Sequence, residues 1–164
     1  VKSMGSPFHT TVENLDSGSD LLRWKRYGVI VARNGTFEAV HLKAWPKLIA
    51  WPEIWPVGSR YHVAGTGDAC WLYYNQPRRF SNFLAVKYMV STRGASLATC
   101  QTALRMLDQI AEIKRTDAIL CDVTNSRLSD RLLQRFGWEA HRPQRWHRNF
   151  IKRFYGSYPG SCQY

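Results

Sequence analysis

Around Arg93 the apolar residues of this chain change their period. Upstream, Phe83 to Val90 (FLAVKYMV) is a strongly apolar run, the pattern of a central strand. Downstream, Leu97, Cys100, Leu104, Leu107 and Ala111 recur three and four apart, widened by Ala103, Ile110 and Ile113. That spacing predicts one long amphipathic helix ending near Lys114 and Arg115, where cations suit the carbonyl end. Ala118 to Val123 (AILCDV) then reads as a short buried strand. A strand, a long helix and a strand in succession imply a right-handed crossover between parallel strands.

The rest of the chain supplies strands around that unit. Tyr27–Arg33 (YGVIVAR) and Thr36–Leu42 (TFEAVHL) flank Asn34-Gly35, a strong hairpin signal. Arg60–Ala64 and Ala69–Tyr74 read as a second hairpin around Gly65-Thr66-Gly67-Asp68. Ser126–Phe136 predicts a second helix with Leu128, Leu132 and Leu133 inward, stopped by Gly137, and Trp138–His141 a further short strand. The fold class is therefore α/β (α+β): a single domain with a mixed, mostly antiparallel sheet and a parallel strand–helix–strand core. A length of 164 residues fits one domain. Residues 1–22 read as a flexible or peripheral segment, with a polar loop at Asp16–Asp20. Ala44–Pro56 (AWPKLIAWPEIWP) carries three Trp-Pro pairs, so short turns are expected in place of a continuous helix. It suits an aromatic wall of a substrate groove or a flap over the sheet, and burial of large aromatics favours the flap.

The formal net charge is +11, which attracts polyanions or anionic ligands. No run of eighteen apolar residues or apolar signal core is present, so the expectation is a cytoplasmic protein that does not cross a membrane. Cys70, Cys100, Cys121 and Cys162 form no Cys-x-x-Cys pair and read as small thiols in a reducing compartment, with no metal. In the tail, Arg142, Arg145, Arg148, Lys152 and Arg153 interleave with Trp146, Phe150, Phe154 and Tyr155. The mixture suits stacking on bases with phosphate contacts. It also suits a closing strand whose aromatics point inward, or contacts to the phosphate of a coenzyme. Arg127, Arg131 and Arg135 add to the positive field.

The turn Ser91 to Ala98 opens the long helix, where unpaired amides and the helix dipole favour an anion, or where Ser91 or Thr92 acts as an ordinary cap. Arg93-Gly94-Ala95-Ser96-Leu97-Ala98 resembles the coenzyme loop of the GNAT acyltransferases, Arg/Gln-x-x-Gly-x-Gly/Ala, with Ser96 in place of a glycine. The segment Asn125 to Trp138 resembles that family's Asn-x-x-x-Ala-x-x-Leu-Tyr-x-x-x-Gly-Phe: Asn125, Ser129, Leu132, Gly137 and Trp138 fall in register. The two motifs stand in family order, joined by one helix and one strand. The resemblance covers residues 83 to 142 and implies an acyl-CoA N-acyltransferase fold, with 83–155 as the coenzyme-binding half.

By that resemblance, acetyl-CoA or another acyl-CoA wedges between the two parallel strands. Its pyrophosphate is held by the Arg93 side chain and the amides of Gly94, Ala95, Ser96, Leu97 and Ala98. Asn125 holds the pantetheine arm or orders the splay. An acceptor amine of unread identity attacks the thioester, which calls for a base, an acid and an oxyanion amide. Leu133 stands where the family's acid is a tyrosine, so Tyr88 is the candidate acid and Asp122 the candidate base. His41 and His62 have no identifiable partner. Arg93 and Asn125 count for this acyltransferase, whereas Ser96 and Leu133 count for the alternative: a catalytically inactive GNAT-like domain that binds nucleic acid or an acidic partner.

Overall fold

A computed structural model of the chain describes residues 9–43, 62–63, 67–123, 129–141 and 148–159. The elements run β1 (His9–Val12), α1 (Ser19–Trp24), β2 (Tyr27–Arg33), β3 (Thr36–Lys43), β4 (His62–Val63), β5 (Ala69–Asn75) and β6 (Phe83–Thr92). They continue with α2 (Leu97–Lys114), β7 (Ala118–Asp122), α3 (Asp130–Arg135), β8 (Glu139–Ala140) and β9 (Asn149–Arg153). All strands join one sheet in the order β1-β3-β2-β5-β6-β7-β9-β8, with β4 beside β6. Pairing is antiparallel except for β6 with β7 and β4 with β6. The class is mixed α/β on a single, mostly antiparallel sheet, with α2 making the parallel crossover from β6 to β7.

The β2–β3 hairpin turns where expected. Asn34 and Gly35 both have positive φ, 50° and 75°, the backbone a two-residue hairpin turn requires. Helix α2 lies across β2, β5 and β3. Its Ala103, Leu107, Ile110 and Ala111 are fully buried in one core with Ile30, Val40, Leu72 and Leu84. Helix α3 ends as expected, with Gly137 at φ 81° just past the cap. The tail contributes the closing strand β9, with Phe150 and Phe154 buried.

Three expectations are corrected. Residues 62–63 do not pair with β5 as a second hairpin; they run parallel to β6 at Ser91 and Thr92. Strand β5 already has β2 on one edge and β6 on the other, so no edge of it is left to pair. The cap of α2 is Ser96 and not Ser91 or Thr92, because β6 continues through Thr92. Residues 9–22 are not peripheral: Val12, Leu15 and Leu22 sit in the core, and β1 pairs with β3. The Trp-Pro segment 44–56 lies outside the described residues.

Candidate functional site

The start of α2 is built from three distant pieces of chain. Ser96 caps the helix, its hydroxyl accepting from the Thr99 amide at 3.2 Å. The Asp68 carboxylate accepts from the Ser96 amide at 2.8 Å and from the Ser96 hydroxyl at 2.7 Å. Its carboxyl is held below the usual range, first by the Thr99 side chain, then by the Ser96 hydroxyl and amide. The Asp68 carbonyl accepts from the Asn34 amide at 2.9 Å. Gly35 donates its amide to the Thr99 hydroxyl, and its carbonyl accepts from Thr102, both at 2.8 Å. Thr92 donates to the Gly67 carbonyl at 2.6 Å, which folds that loop back over the end of β6.

This arrangement bears directly on a coenzyme pyrophosphate. Of the amides the resemblance offers, Ser96 is bonded to Asp68 and Ala95 to the Thr92 carbonyl at 3.1 Å. A Cβ at Gly94 would stand 3.1 Å from the Gly67 carbonyl oxygen, so that loop packs closely against the turn. The anion at this helix start is the protein's own carboxylate, and a second anion beside it meets like-charge repulsion. A pyrophosphate at this helix start would compete with Asp68 for the Ser96 amide. Arg93, Leu97 and Ala98 remain exposed on its rim. Asp68 joins the site although the sequence read it only as a turn residue. Its partner is 28 residues away, and no local pattern announces such a contact.

The second feature is a gap in the sheet. Strand β7 pairs with β6 only from Phe83–Ala118 to Val86–Cys121. The next residue, Lys87, is skipped in the β5–β6 register, where Tyr74 opposes Val86 and Tyr73 opposes Tyr88. A bulge of this kind bends a strand away from its neighbour. Strand β4 takes up the same edge only at Ser91 and Thr92. Among the described residues the β6–β7 ladder thus ends at Val86, and the β4 pairing begins at Ser91. Tyr88 lies beside this gap, its ring stacked on Tyr73 at 4.2 Å between centroids. Asp122, exposed at the end of β7, follows the last residue paired to β6. Tyr88 and Asp122 thus stand on neighbouring strands, just past the last β6–β7 pair.

The other expected residues are elsewhere. Asn125 lies outside the described residues. Leu133 is buried in the core and has no proton to give. His41 is on β3, with Nδ1 3.0 Å from the Thr11 hydroxyl and two strands between it and β6. In the basic tail, Arg148 pairs with Asp130, Lys152 with Asp108 at 2.7 Å, and Arg153 with Glu139 at 2.7 Å. These three cations are engaged within the protein; Arg142 and Arg145 lie outside the described residues. The Lys152–Asp108 pair is nearly buried, and burial pushes the Asp108 carboxyl up while Lys152 draws it back. Beside it is an open cleft of about 290 Å³ lined by Leu104, Arg105, Arg135, Phe136 and Trp138.

Fold and site together define a single-sheet mixed α/β protein with a carboxylate-closed crossover helix and a gap between two parallel strands. No protein-family model matches the chain, and no curated protein or solved structure matches it either. Among the described residues no helix is long and apolar enough to cross a membrane, and no group of His, Cys, Asp and Glu is placed to hold a metal ion.

Proposed function

We propose that this chain is a binding domain on an acyltransferase-like frame: it holds a polyanion and transfers no acyl group. The observation that carries this reading is the Asp68 carboxylate on the Ser96 amide, where the resemblance calls for the coenzyme's pyrophosphate. The buried Leu133 in place of an acid, and a net charge of +11, support it. A cytoplasmic location belongs to the same proposal. Thermal unfolding with and without acetyl-CoA tests it. A ligand that binds the folded state stabilises it, by about 2.7 kcal/mol at a hundred times Kd, and so raises the midpoint with its concentration. No rise is expected with acetyl-CoA. A rise that Arg93→Ala abolishes overturns the reading.

A second reading is acyl transfer from acetyl-CoA or another acyl-CoA to an amine. It is favoured by the gap between β6 and β7 at the Lys87 bulge, with Tyr88 and Asp122 beside it. The same unfolding experiment decides between the two.

A further inference from the structure

The pairing register places several termini at one end of the sheet, opposite the start of α2. Strand β2 begins at Tyr27 facing Asn75, where β5 ends. Strand β6 begins at Phe83 facing Ala118 of β7, which in turn faces Arg153 at the end of β9. Helix α2 finishes beside them. Hydrogen bonds tie these pieces together. The Lys114 ammonium donates to the carbonyls of Lys25 at 2.8 Å and Arg23 at 3.3 Å, and to Gln76 Oε1 at 3.1 Å. Arg23 donates to the Ile113 carbonyl at 3.2 Å, and Gln76 to the Arg26 carbonyl at 2.8 Å.

Three segments distant in sequence thereby present one surface. Arg23, Lys25 and Arg26 come from the end of α1, Arg78 and Arg79 from the β5–β6 turn, and Lys114 and Arg115 from the end of α2. None of these seven cations forms an ion pair among the described residues. The nearest carboxylates by chain position are Glu112 and Asp117, and Asp117 is bonded to the Asn82 side chain at 2.9 Å. The Lys114 ammonium is pushed down to about 8, first by burial and then by the Arg26 charge. Cations so crowded without a counter-ion are stabilised by an anion that arrives from outside.

Exposed aromatics share the surface. Trp24 is 84% exposed, Phe80 62% and Tyr155 81%. The described residues contain only two other exposed large apolar side chains, Leu21 and Leu97, and of these Leu97 is at the far end. Each of the three aromatics stands in a run with cations: Arg23-Trp24-Lys25-Arg26, Arg78-Arg79-Phe80, and Arg153-Phe154-Tyr155. A membrane surface wants a contiguous apolar face, whereas these rings are separated by charge. Stacked bases with phosphates between them match the alternation, and bases are free to stack on protein only in single strands.

We infer that single-stranded nucleic acid binds across this end of the sheet. Its phosphates lie on Arg23, Arg26, Arg78, Arg79 and Arg115, and its bases stack on Trp24 and Phe80. This inference rests on the polyanion-binding reading and adds the surface and the ligand to it.

Fluorescence anisotropy with a fluorescein-labelled 12-nucleotide oligouridylate, titrated at several salt concentrations, tests it. Trp24→Ala and Phe80→Ala are each expected to weaken binding about tenfold. Arg78→Ala with Arg79→Ala should reduce the slope of log affinity against log salt by about 1.4. Arg93→Ala, at the opposite end, should leave the affinity unchanged. All these side chains are exposed, and an unchanged unfolding midpoint confirms that the variants fold. Full affinity in the Trp24, Phe80 and Arg78/Arg79 variants overturns this surface while leaving polyanion binding intact. Equal affinity for a duplex of the same length overturns the stacking role. Binding to phosphatidylserine vesicles without binding to the oligonucleotide overturns the nucleic-acid assignment. Binding to neither removes the polyanion reading as well, whatever acetyl-CoA does in the unfolding experiment.

Discussion

At the scale of single residues, Gly28 and Tyr74 show how closely this core is fitted. A Cβ on Gly28 would stand 2.6 Å from the Tyr74 hydroxyl oxygen and 2.7 Å from its ring. The ring is buried and has nowhere to move. Gly28→Ala should cost about 1–3 kcal/mol in urea unfolding, the range for an overfilled core. Tyr74→Phe should act the other way. The Tyr74 hydroxyl is buried with no hydrogen-bond partner among the described residues, and deleting it removes an unmet desolvation cost of roughly 1–3 kcal/mol. A lower midpoint for Tyr74→Phe would show that the hydroxyl has a partner after all. Lys114 gives a pH signature. Its folded value near 8 lies below the ordinary 10.5, so between those pH values the unfolded chain binds more protons. Stability from this group therefore rises with pH through that window. Measured against Lys114→Met, which keeps the other titrating groups, the stability difference should shift in favour of the lysine protein as pH rises from 8 to 10.5. A difference that stays flat would mean that neither burial nor Arg26 depresses the Lys114 ammonium.

At the scale of elements, two polar contacts fix how α2 sits on the sheet. At its start, Ser96 and Asp68 act as a unit. Ser96→Ala should cost about 1 kcal/mol for the cap alone. The double change with Asp68→Ala should cost less than the sum of the two single changes, because both remove the bond from the Ser96 hydroxyl to Asp68. Additive losses would separate the two residues. Farther along, Asp108 of α2 holds Lys152 of β9. Asp108→Ala leaves an uncompensated buried cation and should cost roughly 3–5 kcal/mol, whereas Asp108→Leu with Lys152→Met should recover most of that in urea unfolding. The periodic parts of the chain announced these elements. The three-and-four spacing gave α2 from Leu97 with its end at Lys114, and Asn34-Gly35 gave the β2–β3 turn. What they pack against was less legible. Periodicity reports which residues are buried, not by whom. The parallel pairing of β4, the strand β1 and the Asp68–Ser96 contact all depend on chain far away in sequence.

At the scale of the whole molecule, charge is distributed by pairing more than by composition. The tail looked like the cationic surface, but Arg148, Lys152 and Arg153 spend their charge on Asp130, Asp108 and Glu139. Seven cations with no ion pair among the described residues converge instead from segments that no sequence window contains together, at the end where α1, the β5–β6 turn and α2 meet. A net charge of +11 also repels itself in the compact state. Added sodium chloride should therefore raise the unfolding midpoint over the range in which the Debye length shrinks from about 30 to 10 Å. A midpoint that falls with salt would mean that the exposed ion pairs outweigh the repulsion.

The sheet's two outermost strands are its shortest along the main path. β1 has four residues and β8 two, on opposite sides of an otherwise long ladder. An open row of amides and carbonyls invites a second chain to continue the sheet, and a short row gives such an invader few bonds before it runs out. A protein this rich in exposed rings and apolar strands would otherwise be prone to stack into fibrils at high concentration. Its brief margins are a built-in brake on that growth, and lengthening either by a few β-branched residues should release it.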